Sequence, residues 1–243
     1  DQAGKKGVRS IQFFTARFSE TGDSKKAALE RSLVERGKAT GVRIIGPNCM
    51  GMYHPKLGIA FWASPKEPGN AAVLAQSGGN ILELIHFASQ RGLKFSKVMS
   101  YGNATDVNEA DLLEYFAQDA ETDVIGAYIE GARDGRRFAQ TLREAAGRKP
   151  VVIWKGGRTQ AGQRAVASHT ASLAGSRDIW QPLANQTGAL LVDSLEALGD
   201  ALLIFANSPA ATGYRVGVVG GGGGRTVEGA DACEDAGLII EPV

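Results

Sequence analysis

Five short stretches could bring reactive side chains together. They are Gln76-Ser77-Gly78-Gly79, Tyr101-Gly102-Asn103, Glu130-Gly131, Lys155-Gly156-Gly157-Arg158 and Ser168-His169-Thr170. Between them they supply a glycine-rich helix start with a hydroxyl, one carboxylate and one histidine. Unpaired N–H groups and the positive end of a helix dipole favour an anion at Ser77, Gly78 and Gly79, and missing Cβ atoms let it approach closely. A neutral imidazole can attack phosphorus near physiological pH, and a carboxylate on its second nitrogen fixes the tautomer. The set reads as a phosphate site with a nucleophile, His169, and an orienting group, Glu130. Each piece also has an ordinary structural role. Ser77 can simply cap a tight strand-to-helix turn, Glu130 can be a solvated strand-end carboxylate, and His169 a capping or surface residue.

Other candidates carry less. Cys49 and Cys233 make no CxxC pair and no disulfide framework, and His54, His86 and His169 make no HExxH, so no metal site is expected. His86, inside ILELIHFASQ, reads as a partly buried helix residue, and His54, before Pro55, as structural. Cys49 follows Gly46-Pro47-Asn48 and can be a small buried residue. The Gly220–Gly224 run lacks the Lys-Ser/Thr of a P-loop and does not fit GxGxxG with its acidic partner. The 27 Lys and Arg balance 26 Asp and Glu, a formal net charge of +1, which argues against a nucleic-acid partner. No apolar run approaches the roughly 20 residues that span a bilayer, so no membrane partner is expected. With two cysteines and no signal peptide, a reducing cytoplasm is the expected compartment.

The elements that must position these residues alternate regularly. The 243 residues are 43% hydrophobic and 22% charged, the balance of an ordinary globular chain, and the 32 glycines imply many tight turns. A strand over 9–16, a helix over 25–40 capped by Asp23 or Ser24, and a strand over 43–46 open the chain. Residues 52–70 hold three of the eight prolines and read as a linker over an extended segment. Five strand-then-helix units follow, with strands at 71–76, 95–101, 124–129, 151–154 and 189–192. Their helices fall at 79–91, 109–118, 135–146, 178–186 and 195–206, the fourth after a long glycine-containing segment. Such a pattern indicates a parallel sheet covered on both faces, a flavodoxin-like doubly wound α/β domain. In that architecture the carboxyl ends of the strands form the ligand crevice, and all five stretches fall there.

Three motifs resemble one family. GPNCMG (Gly46–Gly51), AVLAQSGG (Ala72–Gly79) and GRTQAGQRAVASHTASLAG (Gly157–Gly175) are similar to segments of the NDP-forming acyl-CoA synthetases, relatives of the succinyl-CoA synthetase α subunit and of ADP-forming acetate–CoA ligase. The resemblance implies three parts. Residues 1–65 would be the C-terminal part of a Rossmann-like CoA-binding domain, 70–208 a flavodoxin-like ligase domain with a phosphohistidine loop, and 213–243 the start of a second flavodoxin-like domain. It implies a reversible ligase reaction in which acyl-CoA, phosphate and ADP give a carboxylic acid, CoA and ATP. His169 would be phosphorylated on the way, Glu130 would hold it, and Ser77, Gly78 and Gly79 would receive the phosphate. Asn48 and Cys49 would lie near the reactive end of CoA. ATP or ADP and Mg would bind through an ATP-grasp domain or subunit without counterpart in these residues, in an oligomeric enzyme. Two departures stand out: Ala171 where many relatives have glycine, and the pentaglycine in place of an asparagine-containing turn. A non-catalytic acyl-CoA-sensing module, such as the ligase-like half of a fused protein acetyltransferase, is the rival reading, and retention of both His169 and Glu130 favours the enzyme.

Overall fold

A computed structural model describes residues 1–60, 64–169, 177–209 and 211–241; for residues 167–169 and 177–178 it describes the helical backbone. Asp1–Asn207 pack as one compact unit and Ser208–Val243 form another. The first unit opens with α1 (Gln2–Lys5), β1 (Ser10–Gln12), α2 (Ser24–Thr40) and β2 (Arg43–Ile45), the two strands pairing in parallel. Asp23 caps α2, its carboxylate accepting from the Lys25 N–H at 2.8 Å, and Gly41 ends the helix at a φ of 67°.

Then come β3 (Met52–Tyr53), β4 (Ala71–Ala75), α3 (Gly78–Gln90), β5 (Phe95–Ser100), α4 (Glu109–Gln118), β6 (Val124–Ile129) and α5 (Gly135–Ala146). The unit closes with β7 (Val151–Lys155), α6 (Gln160–His169), α7 (Arg177–Thr187), β8 (Leu190–Val192) and α8 (Leu195–Asn207). The six strands β3 to β8 stand in the order β3-β5-β4-β6-β7-β8. All pairs among β4 to β8 are parallel. Without the edge strand β3 this is the 2-1-3-4-5 order of the flavodoxin-like sheet, whose switch point falls between β4 and β6.

Helices on both sides explain why β4 and β6 read as continuous apolar runs: every one of their residues is buried. Val73, Ile81, Leu84, Leu198 and Leu202 build the core on the α3 and α8 face. On the α4 and α5 face the core holds Leu74, Leu113, Phe116, Phe138 and Leu142, joined by Trp180 of α7. Each βα turn closes with a side-chain cap at the carboxyl edge. Asn108 and Asp111 form a capping box on α4, and Asp134 accepts from the Arg136 and Arg137 N–H groups of α5.

Three sequence expectations need correction. Residues 52–70 are not simply a linker: β3 pairs antiparallel with β5, and Tyr53 is fully buried with its ring edge-on to Phe95. The glycine-containing segment after β7 includes a helix, α6, which starts where Thr159 Oγ1 accepts from the Gly162 N–H at 3.1 Å. His86 is exposed on α3, 3.0 Å from the Gln90 amide nitrogen.

The second unit is a parallel βαβ piece: β9 (Arg215–Val216), α9 (Gly223–Asp235), which begins within the pentaglycine, and β10 (Ile239–Ile240). Among the described residues no helix is long and apolar enough to cross a membrane.

Candidate functional site

The parallel strands β4 to β7 end on one edge of the sheet, and Ser77, Glu130 and Gly157 lie there as expected. Ser77 caps α3, its Oγ accepting from the Asn80 N–H at 3.3 Å. Gly78 and Gly79 form the first turn, where backbone N–H groups lack intrahelical acceptors. The helical backbone of α6 extends to His169. Its side chain, with Thr170–Gly175 of the motif, lies outside the described residues.

Glu130 is buried, at 3% exposure, so it is not a solvated strand-end carboxylate. Its main chain is gripped from two neighbouring strands. Gln76 Oε1, beyond the end of β4, accepts from the N–H groups of Glu130 and Gly131, the latter at 3.0 Å. Lys155 Nζ, at the end of β7, donates to the Glu130 carbonyl at 2.8 Å and to the Gly156 carbonyl. The carboxylate itself accepts from the Tyr128 hydroxyl at 3.1 Å. Burial pulls the Lys155 ammonium down to about 8, against the attraction of Glu130. Burial, reinforced by the Glu130 charge, pushes the Tyr128 hydroxyl up, so it stays a donor at neutral pH. Sequence reading placed Gln76 and Lys155 at strand ends without a role and missed Tyr128. The two-residue spacing of Tyr128 and Glu130 on one strand face was the available signal.

The Gly46–Gly51 turn is fixed against the loop that follows β5. Asn103 donates its N–H to the Pro47 carbonyl at 3.0 Å and Thr105 to the Gly46 carbonyl at 3.2 Å. Gly102, at a φ of 51°, leaves no room for a Cβ beneath the carbonyls of Pro47 and Asn48. The Asn48 side-chain amide donates to Asn103 Oδ1 at 3.4 Å, and Asn103 in turn donates to Glu20 at 2.7 Å and Glu30 at 3.1 Å. The same loop thus joins the α2 region to the sheet edge. Cys49 is buried, and burial pushes its thiol up to about 12, so at neutral pH it is no nucleophile.

These two groups of residues, read separately from the sequence, surround one cavity of about 350 Å³. Asn48, Cys49 and Met50 form one wall and Ser77, Gly78 and Gly79 another, with Phe14–Ala16 and Gln76 completing it. The volume is at the lower end of the range of small-molecule sites, roughly 300–1,000 Å³. A helix N-terminus, an amide side chain and apolar groups meet there, a lining suited to an anion beside a small apolar group. Glu130 is linked to this wall through Gln76. Among the described residues no three His, Cys, Asp or Glu side chains gather to hold a metal ion.

The fold and this strand-end geometry define a class: the chain belongs to the succinyl-CoA-ligase-like flavodoxin domain family, whose model matches residues 68–205. Over 243 aligned residues it is 39% identical to ADP-forming acetate–CoA ligase I of Archaeoglobus fulgidus, covering 99% of this chain and 35% of the relative. It is 38% identical to the α subunit of ADP-forming acetate–CoA ligase II of Pyrococcus furiosus, covering 98% of this chain and 52% of that subunit. Among solved structures it is similar to dinucleotide-forming acetyl-coenzyme A synthetase 1 of Ca. Korarchaeum cryptofilum in complex with phosphate and ADP. There the TM-score is 0.88 at 34% identity, over 98% of this chain and 52% of that one. The chain thus spans between about a third and a half of the length of these relatives. The similarity agrees with the resemblance carried by the GPNCMG, AVLAQSGG and SHTASLAG motifs.

Proposed function

We propose that the chain carries the CoA- and phosphate-handling part of an ADP-forming acid–CoA ligase acting through a phosphohistidine at His169. The observation that carries this reading is the shared cavity between the Asn48–Met50 turn and the Ser77–Gly79 helix start. Residues 1–65 serve as part of the CoA-binding domain, 70–208 as the phosphoryl-carrying domain and 213–243 as the opening of a further α/β domain. The thioester of acyl-CoA lies beside Asn48 and Cys49, with inorganic phosphate on the α3 N-terminus. A phosphate oxygen attacks the thioester carbonyl, and the thiol leaves as CoA, giving an acyl phosphate. His169 attacks phosphorus, the carboxylate departs, and the phosphoryl group remains on the ring. Glu130 fixes the ring tautomer and opposes the positive charge that grows as the N–P bond forms. ADP then takes the phosphoryl group on an ATP-grasp domain or subunit that supplies the Mg site, in an oligomeric cytoplasmic enzyme.

The test uses the full-length protein with its ATP-grasp partner, given acetyl-CoA, phosphate and ADP. ATP formation, abolished in His169→Ala, is the expected result. Acyl-CoA binding without any ATP formation would favour a sensing module instead.

A further inference from the structure

Asn48 carries an amide whose orientation is set by groups behind the cavity wall. The chain of constraint starts at Glu20, whose carboxylate accepts from the main-chain N–H groups of Arg17 and of Phe18, the latter at 3.0 Å. Main-chain N–H groups only donate, so these oxygens act as acceptors. Glu30, buried, is likewise an acceptor for the Ser19 N–H at 2.9 Å. The Asn103 side-chain atom 2.7 Å from Glu20 and 3.1 Å from Glu30 must therefore be its nitrogen. Asn103 Oδ1 is then left to accept, and the end of the Asn48 amide that meets it at 3.4 Å must be a nitrogen too. The other end, Asn48 Oδ1, accepts from no described residue, and Asn48 lines the cavity. The main chains are fixed as well. Asn48, at a φ of 57°, donates its N–H to the Thr15 carbonyl at 3.1 Å, and the Asn103 carbonyl accepts from Arg133 Nη2 at 2.9 Å.

We infer that Asn48 Oδ1 is a hydrogen-bond acceptor for the carrier: it takes the amide N–H that stands two carbons from the sulfur of CoA, and Asn103 is the residue that positions it. The inference rests on the functional reading above, which sets the thioester beside Asn48 and Cys49. An acyl-CoA has no S–H, and its thioester offers only acceptors. The first donor along the arm is that amide N–H, so an acceptor beside the thioester end has this one group to meet. Inorganic phosphate is drawn instead to the N–H groups of the α3 start. An asparagine by itself could turn either end of its amide to the ligand; the carboxylates of Glu20 and Glu30, acting through Asn103, select the oxygen. The bond anchors the arm just short of the reacting carbonyl, so it orients the thioester without touching the atoms that react.

The experiment compares acetyl-CoA with an analogue in which an ester oxygen replaces that amide N–H. ATP formation is followed in the full-length protein with its ATP-grasp partner, as wild type, Asn48→Gly and Asn103→Ala, and kcat/KM is read for both carriers. Glycine suits a φ of 57°, so Asn48→Gly removes the side chain without straining the turn. The wild type should prefer the amide carrier by about tenfold, the effect of one hydrogen bond whose acceptor would otherwise face an oxygen. In Asn48→Gly the preference should fall to within about twofold. It should fall in Asn103→Ala as well, because the Asn48 amide is then free to rotate. Disturbance of the turn alone would lower both carriers equally and leave their ratio unchanged. A wild type indifferent to the replacement, or a preference undiminished in Asn48→Gly, overturns the inference, while ATP formation from acetyl-CoA leaves the functional reading standing. A preference lost in Asn48→Gly but intact in Asn103→Ala overturns the role of Asn103. No ATP formation from either carrier in the wild type overturns the functional reading itself, and the inference with it.

Discussion

Gly102→Ala should be among the most damaging single-methyl additions in the protein. At a φ of 51° an L-residue costs about 1–2 kcal/mol relative to glycine. The new Cβ would also collide with the carbonyl oxygens of Pro47 and Asn48 and lie 2.7 Å from the Asn48 carbonyl carbon. These are backbone atoms and cannot rotate away, and overpacking of this kind adds about 1–3 kcal/mol. The sum, about 2–5 kcal/mol, is a large share of the roughly 5–15 kcal/mol that holds a domain together. The collision can be relieved only by parting the Tyr101–Thr105 loop from the Gly46–Gly51 turn, which moves Asn48. Urea denaturation should therefore report the loss, and calorimetry should report weaker CoA binding. Gly135→Ala is the control: its Cβ meets nothing within 4 Å at the start of α5, and it should be neutral or stabilising by up to about 1 kcal/mol. A Gly102→Ala protein less than about 1 kcal/mol below wild type, with CoA binding intact, would refute the docking of these two segments.

Lys155→Met tests the clamp on Glu130 through pH. In the folded protein burial holds the Lys155 ammonium down to about 8, against 10.5 for the ordinary group, so between those values the unfolded chain binds more protons. Wild-type stability therefore gains from this group as pH rises through that window, at about 1.4 kcal/mol per unit, while methionine contributes nothing. The wild-type advantage over Lys155→Met should widen by about 2–3 kcal/mol from pH 7 to pH 10; a constant gap in denaturation midpoints would contradict it. Glu130→Gln should slow phosphorylation by about 100-fold or more with CoA affinity little changed, and rapid-quench labelling at the wild-type rate would remove Glu130 from the chemistry.

The sheet was legible because local signals agreed. Apolar runs such as AAVLA and VIGAYI lie between glycines and capping residues, and the helices between them carry an apolar stripe. Helix α6 escaped because QAGQRAVASH offers three alanines and Val166 as its apolar positions, with no large aliphatic stripe, around a glycine. β3 escaped because it is two residues long and runs into a proline-rich stretch, so only pairing with β5 identifies it. At the site, the residue types and their strand-end positions could be read, but the partners could not. Gln76 and Lys155 reach Glu130 because β4 and β7 flank β6, an adjacency set by tertiary pairing. The cavity likewise joins segments about 30 residues apart in sequence, a contact no local pattern encodes.

The most direct test of the central claim is to locate the phosphoryl group. The full-length protein is incubated with acetyl-CoA and labelled inorganic phosphate, without ADP, and the labelled peptide is mapped under alkaline conditions that preserve phosphohistidine. The account predicts acid-labile label on the α6 peptide at His169, none in His169→Ala, and none when acetyl-CoA is omitted. Acid-stable label, or label that persists undiminished in His169→Ala, would contradict it.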